Sequence, residues 1–203
     1  MSSRSRLLSL FAVAALALPM LVQAQNAAPA RIRGTVAAIS GNSVDILTRE
    51  GKKLTLQLND ATRYSFVKAL DLASIKQGSF IGTAGKPTAN GGIEALEVVV
   101  FPEEARGSGE GHYDWDLLPG SSMTNATVSA VVSGNAGRDL ELTYQGKSIK
   151  IQVPKDVPVV TFVPATAQDL KPGLAVFAVA SRSGEEWKAG RLLIEKDGVK
   201  PPM

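Results

Sequence analysis

The chain of 203 residues contains no cysteine, and its single histidine is His112. Without thiols it has no disulfide, no thiolate metal site and no cysteine nucleophile. Aromatic residues make up only 5% of the chain, with two tryptophans, so any place where rings collect is informative. No apolar run after residue 24 approaches the roughly 20 residues that a membrane-spanning helix needs. A dominant charge sign is also lacking. The 22 Lys and Arg face 19 Asp and Glu, for a net charge of +3. Two of those arginines, Arg4 and Arg6, lie at the extreme N-terminus, and without them 20 basic residues face 19 acidic ones. The basic residues are dispersed among the acidic ones rather than gathered on one face, which argues against a nucleic-acid partner.

What is present begins with a targeting signal. Arg4 and Arg6 precede the apolar run Leu7 to Leu18, Pro19 breaks it, and Val22-Gln23-Ala24 offers small residues at both cleavage-critical positions. Residues 1–24 therefore read as a secretory signal peptide cleaved near Ala24, and the expected location is a bacterial periplasm or the exterior. No cysteine follows to accept a lipid, and no later segment is expected to span a membrane. A disulfide-free exported protein must hold itself together by burial.

The remaining chain says the same thing twice. Residues 34–58, from Gly-Thr-Val-Ala-Ala-Ile-Ser to Leu-Thr-Leu-Gln-Leu, are echoed by residues 126–153, from Ala-Thr-Val-Ser-Ala-Val-Val to Ile-Lys-Ile-Gln-Val. Val44, Ile46, Leu54, Leu56 and Leu58 alternate with polar residues in the first copy, and Leu140, Leu142, Tyr144, Ile149, Ile151 and Val153 in the second. That period of two predicts strands with one buried face, paired as hairpins around Gly51 and Gly146. An irregular stretch follows in each copy, Tyr64-Ser65-Phe66 or Val160-Thr161-Phe162, then a short helical turn capped by Asp71 or Asp169 and ended by Gly78 or Gly173. Two further strands close each unit, the last running from Ile93 to Phe101 or from Trp187 to Glu195. The predicted fold is all-β: two tandem OB-like five-stranded small barrels, 31–101 and 126–197, joined by a long ordered linker, 102–125. Small barrels of other topologies fit the same pattern.

The two units resemble a bacterial exported domain family of unknown function with OB-like barrels. The resemblance covers about Arg33 to Glu195, and its most specific stretch is Gly109-Glu110-Gly111-His112-Tyr113-Asp114-Trp115-Asp116-Leu117, with Ser122-Met123-Thr124-Asn125-Ala126 after it. It implies a fold and a compartment, and no activity comes with it.

The linker has an unusual composition, Gly-rich and acidic, with the only histidine and one of the two tryptophans. A pure spacer would not carry Trp, Tyr and two leucines. Three readings follow. His112 with Glu110, Asp114 and Met123 is a candidate divalent-metal site, since imidazole and carboxylate suit several divalent ions, although one histidine is few for a tight zinc site. Alternatively Trp115, Leu117 and Leu118 form a clasp between the barrels. The third reading gives Tyr113 and Trp115, with His112, Asp114 and Asp116, an aromatic and acidic surface for a partner.

No enzyme class finds its parts. A Ser-His-Asp hydrolase would need His112 and lacks a recognisable nucleophile elbow, and the carboxylate pairs Glu103 with Glu104 and Asp114 with Asp116 read as solvated loop residues. The expected function is a non-enzymatic binding or assembly module of the cell envelope, with no resident cofactor, whose partner is an envelope protein or a small ligand held at the linker or groove. The alternative is a periplasmic metal-binding accessory protein using His112 and nearby carboxylates.

Overall fold

The computed structural model describes residues 28–134 and 137–202; the expected signal peptide, 1–24, and Met203 lie outside them. Thirteen strands are defined there: β1 Ala30–Ser40, β2 Ser43–Thr48, β3 Lys53–Gln57, β4 Arg63–Ala69, β5 Phe80–Pro87, β6 Ile93–Val100, β7 Gly111–Trp115, β8 Ser121–Gly134, β9 Gly137–Tyr144, β10 Lys147–Pro154, β11 Val159–Pro164, β12 Ala175–Ser183 and β13 Glu186–Ile194. Helix is confined to three single 3-10 turns, so the fold is all-β as expected. No helix among the described residues is long and apolar enough to cross a membrane.

The hairpins form where the alternation placed them. β2 pairs β3 with Val44 opposite Leu56 and Ile46 opposite Leu54, and β9 pairs β10 with Leu140 opposite Ile151. The β9–β10 turn is the two-residue Gln145-Gly146, both at positive φ, which matches the twist of the flanking strands. Asp71 caps its turn by accepting from the Ala73 N–H at 2.7 Å. Asp169 differs from expectation. It sits inside its turn as the third residue of a capping box, accepting from the backbone N–H and hydroxyl of Thr166.

The barrels do not follow the units. β1, β2 and β3 are closed into a five-stranded barrel by β12 and β13, with β1 antiparallel to β12 and β3 parallel to β13. β8, β9 and β10 are likewise completed by β5 and β6, with β10 parallel to β6. Each half thus gives three strands to one ring and two to the other, which corrects the boundaries 31–101 and 126–197 expected for separate barrels. The reason lies in the two stretches expected to be irregular. Both are strands, rich in aromatic and β-branched residues. β4 runs parallel to β13 and antiparallel to β11, and β11 runs parallel to β6, so each carries its chain out of one ring and into the other.

Each core is accordingly a joint product. Val36, Val44, Ile46 and Leu56 pack with Val176, Ala178, Leu192 and Ile194 in the first barrel. Ile81, Ile93 and Val98 pack with Val128, Leu142 and Ile151 in the second. A third core fills the junction, where Val67, Val99, Val160, Phe177 and Leu193 meet.

Candidate binding site at the barrel junction

Strand alternation decides which residues face this junction. On β6, Val98 and Val100 turn into the second barrel, so Glu97 and Val99 turn out toward the junction. On β13, Leu192 and Ile194 face the first barrel, which leaves Arg191 and Leu193 on the junction side. The pairings Val99 with Gly82, Gly82 with Asn125, Ala84 with Met123 and Met123 with Tyr113 extend the same face across β5, β8 and β7. The sheet curls until Trp115 on β7 meets Phe177 on β12, ring centroids 6.5 Å apart.

The expected linker is thus not a free connection. Its first part is a 3-10 turn, Glu103–Ala105, tied back by Arg106 donating to the Gly78 carbonyl at 3.1 Å. Residues 111–115 form β7, paired to Ser121–Asn125 of β8, so the last five residues assigned to the linker belong to a barrel strand. Ser121 staples the intervening turn by donating to the Trp115 carbonyl at 2.9 Å.

Trp115 is held by charge as well as packing. The Arg31 guanidinium lies 3.9 Å from its ring centroid and that of Arg33 5.9 Å. Contacts of this kind contribute roughly 0.5–2 kcal/mol. Arg33 also donates to Asp116 at 2.8 Å, and Arg31 lies 3.7 Å from the same carboxylate. Burial would raise the Asp116 carboxyl, but the hydrogen bond from Arg33 and the charges of both arginines hold it below the usual aspartate range. Leu117 is half-buried beside these arginines, whereas Leu118 is 43% exposed and does not join the clasp. Tyr113 packs edge-on to Trp115, 6.2 Å between centroids, and its hydroxyl accepts from Asn125 Nδ2 at 3.2 Å. Burial pushes the Tyr113 phenol pKa up, with Arg31 opposing.

Beneath this hairpin lies a cavity of about 200 Å³, lined by Phe101, Tyr113, Trp115, Phe162 and Phe177 among others, with Gly82 on its floor and Arg191 at its wall. A Cβ on Gly82 would lie 2.6 Å from Asn125 Oδ1 and 2.9 Å from Phe101, so only glycine leaves this floor open. Asn125 is 7% exposed and its Oδ1 has no partner; the Trp115 indole N–H is likewise buried and unpartnered. Glu97, 1% exposed, has no hydrogen-bond partner on either oxygen. Burial pushes its pKa up to about 8, against the opposing charges of Arg33 and Arg49, so it is protonated at neutral pH.

The metal candidates are dispersed. His112 and Asp114 lie on the face of β7 opposite to Tyr113 and Trp115, and His112 Nδ1 shares a 2.8 Å hydrogen bond with Thr124 Oγ1. Met123 is buried on the Tyr113 side. The Glu110 carboxylate accepts from the Gln145 backbone N–H at 3.0 Å. No group of three or more His, Cys, Asp or Glu able to hold a metal occurs among the described residues. Of the proposed binding set, Tyr113, Trp115 and Asp116 converge on the junction and its arginines, while His112 and Asp114 turn away.

Glu97, Gly82, Phe177 and Arg191 are not among the candidates that the sequence offers, and Asn125 stands there only as part of the stretch 122–126. The available signal was one charge within each apolar run, Ala95-Leu96-Glu97-Val98-Val99 and Gly190-Arg191-Leu192-Leu193-Ile194. Compared with protein-family models, curated proteins and solved structures, the chain matches none.

Proposed function

We propose that the protein is an exported, non-enzymatic binding module of the bacterial cell envelope, and that it binds its ligand in the junction cavity beneath the β7–β8 hairpin. The single observation that carries this reading is the cavity itself: about 200 Å³ of space left open among five aromatic side chains in a chain that has few of them. Burying apolar surface is the main driving force for filling such a space, and junctions between units are favoured places for ligands. We read each ring as OB-like. The order in which its first three strands are closed by the parallel fifth and antiparallel fourth supports that, with the fourth and fifth supplied by the opposite half. The export signal supports the envelope location.

A binding role fits the chemistry better than a catalytic one. Glu97 carries a proton near neutral pH, the usual mark of a general acid, but both its oxygens are sealed from solvent, so no substrate atom reaches them. A backbone amide NMR titration with a library of small apolar and polar fragments tests the reading. Hits should perturb Gly82, Val99, Phe162 and Phe177 together, and Trp115→Ala should weaken them. Hits that gather instead on the outer groove of the second barrel, around Asn90, Glu141 and Lys150, would contradict it.

A further inference from the structure

Among the described residues Arg191 is the one charged side chain lining the junction cavity. It forms no ion pair among the described residues. Directly across the β13–β4 pairing stands another cation, Arg63, also without an ion pair among the described residues. Burial lowers the Arg191 pKa and the Arg63 charge lowers it further. Like charges directly opposite each other on neighbouring strands destabilise a sheet. Arg33, at the other end of the junction, has its carboxylate in Asp116. Arg191 has none among the described residues, which leaves a half-buried cation in the lining of an aromatic cavity.

We infer that this cavity takes a small aromatic carboxylate, with its ring among Phe101, Phe162 and Phe177 and its carboxylate on Arg191; the inference rests on the binding reading proposed above. Size sets the first limit. Cavities of roughly 150 Å³ lined by apolar side chains accept benzene, so about 200 Å³ accommodates one substituted ring. Ring faces and edges around the space favour a planar aromatic guest through offset and edge-on contacts. Charge sets the second limit. A planar carboxylate meets the guanidinium fork with two parallel hydrogen bonds and neutralises the Arg191–Arg63 repulsion. The remaining charged groups on this face are compatible with an anion. Arg31 and Arg33 are cationic, Asp116 is already engaged by them, and Glu97 holds its proton. A cationic guest would find no free carboxylate.

The test uses benzoate and its neutral analogue benzyl alcohol at pH 7, with affinity from calorimetry and location from backbone amide shifts of the whole mature chain. Benzoate is expected to bind saturably at Gly82, Val99, Phe177 and Arg191, about tenfold or more tighter than benzyl alcohol, the difference one charge-assisted pair supplies. Arg191→Gln should erase that preference, and Arg191→Lys should keep part of it; an unchanged spectrum away from the cavity shows that both variants fold. Equal affinity for the two probes, or a preference that survives in Arg191→Gln, overturns the carboxylate assignment while leaving the cavity a binding site. Failure of both probes to perturb the cavity at about 10 mM, a ligand concentration that detects even millimolar affinity, overturns the aromatic-carboxylate inference, and the binding reading falls with it only where the fragment library also leaves the cavity unperturbed.

Discussion

The two halves of the chain build the junction from matching positions filled with different residues, and the cavity is the outcome of that mismatch. The strand pairings fix the correspondence. Ala84 lies opposite Glu97 and Val179 opposite Arg191, each just before a bulge in which Leu96 or Gly190 is the extra residue. Glu97 in the first half is therefore the counterpart of Arg191 in the second. By the same registers Gly82 answers Phe177, and Asn125 answers Arg33. Within the barrels the halves agree at most positions, the exceptions being Ile32 and Ala178 of the first barrel, which are answered by the buried Thr124 and Thr83 of the second. At the junction they diverge in size and charge. The shared pattern builds the scaffold, and the divergent positions make the site.

The largest effect expected from removing this asymmetry is at Glu97. Its carboxyl keeps a proton up to a pKa of about 8, whereas in the unfolded chain it ionises near 4.5. Between those values the folded state binds more protons than the unfolded state, so its contribution to stability is complete below about pH 4.5 and is lost as pH rises to about 8. Each pKa unit is worth about 1.4 kcal/mol. Denaturant titrations across pH 5–8.5 should show stability falling by a few kcal/mol, and Glu97→Gln should flatten that slope. Retention of the full slope in the variant would assign it elsewhere.

Trp115→Ala comes next. Truncating a buried large aromatic costs roughly 3–5 kcal/mol, and because this ring is only partly buried a loss near 2–3 kcal/mol is expected in chemical denaturation. The other tryptophan, Trp187, packs at the first barrel and serves as the comparison for junction-specific effects on ligand binding. At Gly82, alanine brings a methyl group against Asn125 and Phe101 and should cost about 1–3 kcal/mol by overpacking while closing the cavity to probes. The smallest change is His112→Ala, which removes one hydrogen bond to Thr124 and should cost about 1 kcal/mol, with no loss of bound metal from protein purified without chelators.

The alternation of Val44, Ile46, Leu54 and Leu56, and of Leu140, Leu142, Ile149 and Ile151, was enough to place the hairpins and the all-β class, because one buried face imposes that period wherever the strand ends up. Which copy completes which barrel was not legible. β5–β6 and β12–β13 are similar apolar strand pairs, and either fits either barrel by pattern alone. β4 and β11 are not legible as strands because neither has one cleanly buried face: only Val67 is fully buried in β4, and the adjacent Val159 and Val160 are buried in β11, which breaks the period of two. Trp115 and Tyr113 could be singled out by composition, and both reached the junction. Glu97 and Arg191 could not be paired by inspection, since their relationship exists only through the registers of two strands some ninety positions apart in the chain.

The exchange of strands between halves underlies all of this, and the absence of cysteine makes it directly testable. In this topology Gln57 lies beside Lys188 and Gln152 beside Glu94. Neighbouring strands stand about 5 Å apart, within the range a disulfide spans. Cysteine pairs placed at Gln57 and Lys188, and at Gln152 and Glu94, should oxidise readily within one chain, while pairs at Gln57 and Glu94, and at Gln152 and Lys188, should stay reduced. The reverse pattern, cross-links confined within each half, would show two self-contained tandem barrels and contradict the account of the junction.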